Sequence, residues 1–361
     1  MELHVIGEKG KEEVILLNEN MEIVKPVYDY LKFQKQLGRA MNSIKAYGTD
    51  LKIYFRYLEM GELLYEHITP SDILRFIEYL REFDGLKVLH KESSRSAKTI
   101  NRIIGTIYHF YKFCEMTKAI ENPVLMRDMN NSFSQYRGLM YHARKDNMTR
   151  KSVFKLKEKK HRVKILNQDE AEHFCNNLNR IRDRLIFKVM YLTGARIQET
   201  LDLQIKMIPI PDTSKKVAVF SQIKSKGKYR DLYVPMSLVE ELDNFILNDR
   251  CRVETDHDFI FISQQKQNFG KQMTYRGVYE VFKTVQKKIG LYFNFHDLRH
   301  TFGSSLVTDG IDISIIRILM GHEHISTTQQ YLHLSGKFIE DSLAAYWEQS
   351  ILRGGEENER K

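Results

Sequence analysis

Cysteine is scarce in this chain: three in 361 residues, with Cys114, Cys175 and Cys251 far apart and no C-x-x-C spacing. That excludes a disulfide scaffold and offers no zinc or redox motif, so each thiol reads as a small buried apolar residue or a surface group. No apolar run reaches the roughly 18 residues that a membrane-spanning helix needs, so no membrane partner is expected. The opening residues Met1-Glu2-Leu3-His4 lack the basic-then-apolar pattern of a secretory signal, which makes a cytoplasmic protein the expectation. Internal repeats are absent too. What is present is ordinary, 42% hydrophobic and 29% charged residues, with length enough for two or three domains.

Acidic residues are missing in one place. Residues 137–164 hold eleven Lys or Arg against two acids, Asp146 and Glu158, so the +9 of the whole chain is the net charge of this segment. The rest of the chain is balanced. Such a concentrated excess favours a polyanion, nucleic acid first, over a Lys-rich solvated tether. The candidate DNA-binding residues are Arg144, Lys145, Arg150, Lys151, Lys155, Lys157, Lys159 and Lys160.

Helical periodicity fills the N-terminal third. One helix carries Val27, Tyr28, Leu31 and Phe33 and stops at Leu37-Gly38; a second, capped by Ser43, carries Ile44, Tyr47, Leu51, Tyr54, Phe55 and Leu58. Thr69-Pro70-Ser71-Asp72 is a helix start, and the longest pattern covers 96–114. Asn122-Pro123 closes this four-helix group. The domains expected are an extension at 1–21, a helical domain at 22–125, a basic linker at 126–164 with room for a short helix, a second domain at 165–346 and a tail at 347–361.

In the second domain Asn167 caps a helix, an apolar helix over 183–192 breaks at Thr193-Gly194, and 195–203 begins another. Residues 217–222 and 229–235 alternate as strands around Lys224-Ser225-Lys226-Gly227-Lys228, a hairpin. Helices are expected over 238–247, 275–289, 298–307, 314–319 and 337–352. The class is mostly α with one small antiparallel sheet.

Three separated motifs carry chemistry. Thr193-Gly194-Ala195-Arg196-Ile197-Gln198-Glu199 sets an arginine at a helix start. His296-Asp297-Leu298-Arg299-His300-Thr301 puts His296 and Arg299 three apart, on one helix face. Gly321-His322 is followed nine residues later by Tyr331. Arginine offers phosphate oxygens a planar fork of donors, histidine and lysine move protons, and tyrosine can be a nucleophile. Taken singly these are common residues in common places. His296 with His300, or His322-Glu323-His324, could suggest metal ligands, but no H-E-x-x-H is present.

As an ordered set, the motifs resemble the tyrosine recombinases, or phage integrase family, over about residues 25–350. The resemblance implies a SAM-like core-binding domain followed by a catalytic domain of the DNA breaking-rejoining fold. It implies that Arg196 and Arg299 clamp the scissile phosphate, that His296 and His322 are the paired histidines, that Tyr331 is the nucleophile, and that Glu199 orients the first arginine. A hairpin lysine would protonate the leaving 5′-oxygen. The family pattern of Lys-Gly before a basic residue favours Lys226, although Lys224 and Lys228 share the turn. Neither metal nor other cofactor is implied. The partners would be double-stranded DNA, further copies of the chain in a dimeric or tetrameric synapse, and accessory recombination proteins, in a bacterial, nucleoid-associated setting. The extension and long linker depart from the compact chromosome-dimer resolvases and fit an element-encoded integrase or transposase better, and the overall look is similar to the transposase A proteins of transposons that use this chemistry. A type IB topoisomerase, a non-catalytic DNA-binding protein and a metal-dependent nuclease are the competing readings.

Overall fold

A computed structural model describes residues 1–8, 12–82, 95–129, 149–158, 163–225, 227–322 and 325–328. The chain divides into two compact units, Met1–His161 and Arg162–Lys361.

The first unit opens with a hairpin, β1 (Glu2–Ile6) against β2 (Glu13–Leu17), with Leu3 opposite Leu16 and Val5 opposite Val14. Four helices follow: α1 (Lys25–Gln36), α2 (Met41–Met60), α3 (Pro70–Glu82) and α4 (Ala97–Lys118). They close on a tyrosine- and phenylalanine-rich core in which Tyr30, Tyr54, Phe76, Phe110 and Tyr111 are fully buried. Burying phenols requires hydroxyl partners, and these exist: Tyr111 donates to the Tyr65 carbonyl at 2.8 Å and pairs with the Tyr54 hydroxyl at 2.8 Å. The segment set apart in the sequence as an extension, 1–21, contributes to this core through Val14 and Leu16, which are buried in it. Leu3 packs on it too, with its Cδ1 2.9 Å from where a Cβ at Gly48 would lie. One expected cap differs: α2 starts at Met41 after Ala40, so Ser43 falls inside its first turn.

The basic linker is structured at both ends. Strands β3 (Met126–Met129) and β4 (Thr149–Ser152) pair antiparallel where the sequence left room for a short helix. Four-residue strands are too short to show a period, which is why the pattern missed them. Beyond β4, Phe154 is buried in the first unit's core. The Asn101 amide brackets Leu156, donating to its carbonyl at 2.9 Å and accepting from its N–H at 2.8 Å. Arg150 and Lys151 lie on β4 and Lys155 and Lys157 are exposed, whereas Arg144, Lys145, Lys159 and Lys160 fall outside the described residues.

The second unit is mostly helical, with a hairpin between its helices: α5 (Gln168–Asn176), α6 (Ile181–Thr193), α7 (Ile197–Leu201), β5 (Val217–Ser225), β6 (Lys228–Pro235), α8 (Met236–Phe245), α9 (Tyr275–Ile289), α10 (Phe295–Thr308), α11 (Ile313–Met320) and α12 (Ile325–Thr328). Its core gathers Phe174, Phe187, Met190, Phe220, Leu242, Phe261, Phe282 and Leu298. Asn167 caps α5 with a full capping box to Glu170, as its sequence suggests. The expected last helix over 337–352 lies outside the described residues. Among the described residues no helix is long and apolar enough to cross a membrane.

Candidate active site

The site is assembled from the ends of helices. Helix α6 stops at Gly194, whose φ of +61° is left-handed and whose N–H caps the Met190 carbonyl at 3.0 Å. A side chain here would be doubly excluded: by the backbone, and by Phe302 of α10, which stands 2.5 Å from where a Cβ would be. The chain can therefore turn sharply and deliver Arg196 to the start of α7.

Glu199, only 2% exposed, holds that turn. It accepts the Arg196 N–H at 2.9 Å and Arg196 Nη1 at 2.7 Å, and Arg196 Nη1 also donates to Ser225 Oγ at 2.6 Å. A second arginine, Arg230 of β6, donates Nη2 to Glu199 at 2.6 Å and Nη1 to the Leu319 carbonyl at 2.7 Å. Burial alone would raise the Glu199 carboxyl; the hydrogen bond and charge of Arg230, then Ser225 and the Arg196 amide, outweigh it and hold the group down at about 2. The Arg196 side chain keeps 21% exposure, and its Nε and Nη2 hydrogen-bond none of the described residues.

Helix α10 supplies the third arginine. Asn294 caps it, accepting from the His296 and Asp297 amides at 2.8 and 3.1 Å, while Asp297 accepts the Asn294 N–H at 2.8 Å. Arg299 is 5% exposed and donates Nη1 to the Gly194 carbonyl at 2.7 Å and Nη2 to the Met320 carbonyl. Both acceptors close helices, α6 and α11, where the helix dipole favours a cation. His296 stands exposed in the first turn of the same helix, and half-buried His300 is lowered from its ordinary value by burial and by His296.

Gly321, at φ +58°, ends α11 and passes so close to Arg230 that a Cβ would lie 2.6 Å from Arg230 Cδ. His322 follows, its Nδ1 3.0 Å from the Thr328 hydroxyl. Burial, then the charges of Arg299, Arg196 and Arg230, push the imidazole down to about 4, so it is neutral at neutral pH. The structure thus brings Arg196, Glu199, Arg299 and His322 together. Lys226 and Tyr331 lie outside the described residues.

The hairpin bears on the lysines. A one-residue bulge between Phe220 and Ile223, with Gln222 at φ +59°, shifts the phase of β5. Ile223 and Ser225 then face inward, opposite Arg230 and Lys228, while Lys224 pairs with Tyr229 on the exposed outer face. Strict alternation from Phe220 would have turned Lys224 inward. Arg230 and Ser225 were missed in the sequence. The signal for Arg230 was there, because it shares the inward phase of Leu232 and Val234.

Among the described residues no group of three or more His, Cys, Asp or Glu side chains is placed to hold a metal ion. A cavity of about 460 Å³ near the starts of α6 and α9 includes none of the site residues in its lining.

Glu199 yields a stability prediction. A carboxyl depressed from 4.5 to about 2 stabilises the fold fully above 4.5 and loses that contribution as pH falls through about 2. Glu199→Gln should therefore destabilise the protein by on the order of 2–3 kcal/mol at pH 7. The gap to wild type should narrow as pH drops from 4.5 towards 3, read by thermal denaturation of both proteins. A gap independent of pH would mean that packing, not charge, is lost.

Three arginines and a neutral histidine drawn together from distant segments form a site suited to a phosphodiester, carried on a mostly helical unit. The Phage integrase family description matches residues 164–337, and that of the Phage integrase N-terminal SAM-like domain matches residues 27–118. The chain belongs to the phage integrase family, the tyrosine recombinases. It is 26% identical over 343 residues to transposase A from transposon Tn554 of Staphylococcus aureus, covering 92% of this chain and 94% of that protein. Tyrosine recombinase XerC of Leptospira interrogans is 28% identical over 89% of this chain and 91% of its own length. The fold is shared with the solved Tn1549 transposon integrase in complex with circular intermediate DNA, at TM-score 0.59 and 19% identity over 85% of this chain and 94% of that one.

Proposed function

We propose that the protein cleaves and rejoins DNA strands at specific sites through a 3′-phosphotyrosyl intermediate, to transpose or integrate a mobile element. The observation that carries this reading is that Arg299 bridges the carbonyls of Gly194 and Met320, two residues before Arg196 and two before the neutral His322, and so gathers three distant segments, while Glu199 holds Arg196. In the first step the Tyr331 hydroxyl oxygen attacks the scissile phosphorus, its proton passing to a neutral histidine of the site, and the P–O5′ bond breaks, the departing 5′-oxygen taking a proton from Lys226. In the second, a 5′-hydroxyl of the partner duplex attacks the phosphotyrosine and returns its proton to Lys226, and the P–O bond to tyrosine breaks as the freed oxygen takes back the proton held by the histidine. Arg196 and Arg299 offset the charge that develops on the phosphorane, His296 and His322 hydrogen-bond its oxygens, and Glu199 orients Arg196. Each bond broken is replaced by an equivalent ester, so the exchange needs neither ATP nor a metal. Strand exchange between two duplexes requires further copies of the chain on DNA, and the match along 92% of the chain to a transposase A supports transposition as the task.

The test is a suicide-substrate assay on DNA from the flanks of the gene, in EDTA and without ATP. An SDS-resistant protein–DNA adduct is expected. Cleavage only when a divalent metal is added would point to a nuclease instead, and relaxation of a plasmid lacking the site would point to a topoisomerase.

Two expectations accompany this. Lys226→Ala should be slow on ordinary DNA but close to wild type on a 5′-bridging phosphorothiolate, whose thiolate leaves without a proton; Lys224→Ala should be near wild type on both. Rescue of Lys228→Ala instead would move the role to that residue. Neutralising Lys155, Lys157, Lys159 and Lys160 together should weaken specific and random DNA alike, because phosphate contacts carry no direct sequence information. The slope of log K against log salt should flatten by about 0.9 for each phosphate that is no longer neutralised. An unchanged slope would mean a solvated tether.

A further inference from the structure

We propose that Arg230 is a positioning residue for strand cleavage, locking Arg196 and the segment that carries His322 into a single geometry. The inference rests on the proposed function. One guanidinium spans both parts: Nη2 reaches Glu199, the carboxylate that holds Arg196, and Nη1 reaches the carbonyl of Leu319, three residues before His322. Its Cδ packs against the one position, Gly321, where the chain turns from α11 to His322.

The side chain can act through its neighbours, since it donates directly to the groups on either side of it. It is 9% exposed, and both terminal nitrogens are engaged within the protein. The benefit falls on Arg196. A buried carboxylate with one arginine would draw that guanidinium wholly onto itself. With Arg230 taking half of the Glu199 charge, Arg196 is held by Nη1 and its Nε and Nη2 are left for substrate oxygens. Lysine is a poor replacement for Arg230, since the two acceptors are met by separate nitrogens of a planar fork, which a point charge on a shorter side chain does not reproduce.

The test is a double-mutant cycle read by single-turnover cleavage on saturating DNA, with DNA affinity and thermal stability measured alongside. Arg230→Met should slow cleavage at least about 10-fold while DNA affinity stays within about 3-fold, the pattern of an interaction that matters in the transition state. In a Glu199→Gln background the same substitution should add less than about 3-fold, because the route through Glu199 is already broken. Arg230→Lys, which keeps the buried charge and serves if the methionine variant does not fold, should recover little of the rate. Equal slowing in both backgrounds would overturn the proposal, as would a lowered Tm with an unchanged rate. So would a loss of DNA affinity with a flatter salt slope, which would make Arg230 a phosphate ligand. Wild-type protein forming no adduct would refute the proposed function itself, a result distinct from all of these.

Discussion

Tyr331→Phe is expected to abolish covalent capture of DNA while leaving binding almost untouched. Phenylalanine keeps the ring and its packing and removes only the hydroxyl oxygen, the atom proposed to attack phosphorus. No second nucleophile takes over in this chemistry, because a phosphotyrosyl bond needs that oxygen and a water attack would leave no adduct. Cleavage should fall by at least about 10⁴-fold, as it does when a nucleophile acting as part of a unit is removed. Affinity for the site should change by less than about 2-fold, since the hydroxyl adds no charge to a surface that grips DNA by phosphates. The check is denaturing electrophoresis on a suicide substrate beside a binding titration on the intact site. An adduct that survives the substitution would place the nucleophile elsewhere among the nineteen tyrosines.

The arginines come next in size, and the structure separates them. Arg196→Ala and Arg299→Ala should each slow cleavage by about 10²-fold or more, the effect of losing one preorganised donor to a developing oxyanion. Their stabilities should diverge. Arg196 is partly exposed, and its loss leaves Glu199 paired with Arg230, so the variant should fold nearly as well as wild type. Arg299 is buried between the last carbonyls of two helices, and its loss leaves both acceptors without a donor. A buried acceptor left unpaired costs about 1–3 kcal/mol, so a lower Tm is expected for Arg299→Ala alone. Lysine should restore little at either position, because neither fork is reproduced by a point charge. Equal Tm values for the two alanine variants would contradict the burial described for Arg299.

Much of this was legible in the sequence wherever a long period or a stop signal fixed an element. The helix at 275–289 was bounded correctly because Thr274 caps it and Gly290 closes it. Gly194 marked the turn before Arg196, and the H-x-x-R pair marked α10. That helix begins three residues earlier than its apolar pattern, since Asn294 and Asp297 set its start by capping rather than by burial. The N-terminal hairpin was missed because five-residue strands whose partner lies across a short loop carry too little alternation to outweigh the helices that follow. Arg230 was missed for a different reason. A charged residue on an inward phase normally argues against a strand, and only the carboxylate of Glu199, 31 positions away, makes it tolerable there.

The bulge at Gln222 also says where the hairpin can change length. Phe220 and Ile223 are three apart, an odd step that a regular strand cannot place on one face, and the left-handed residue between them absorbs it. Deleting Gln222 would therefore leave Ile223 and Ser225 on the face they already occupy, and Lys224 outside. Deleting Lys224 instead, two positions later, would reverse the facing of everything up to the turn and carry Ser225 away from Arg196. Along this strand, descent through small insertions and deletions has one tolerant position and a strict one beside it.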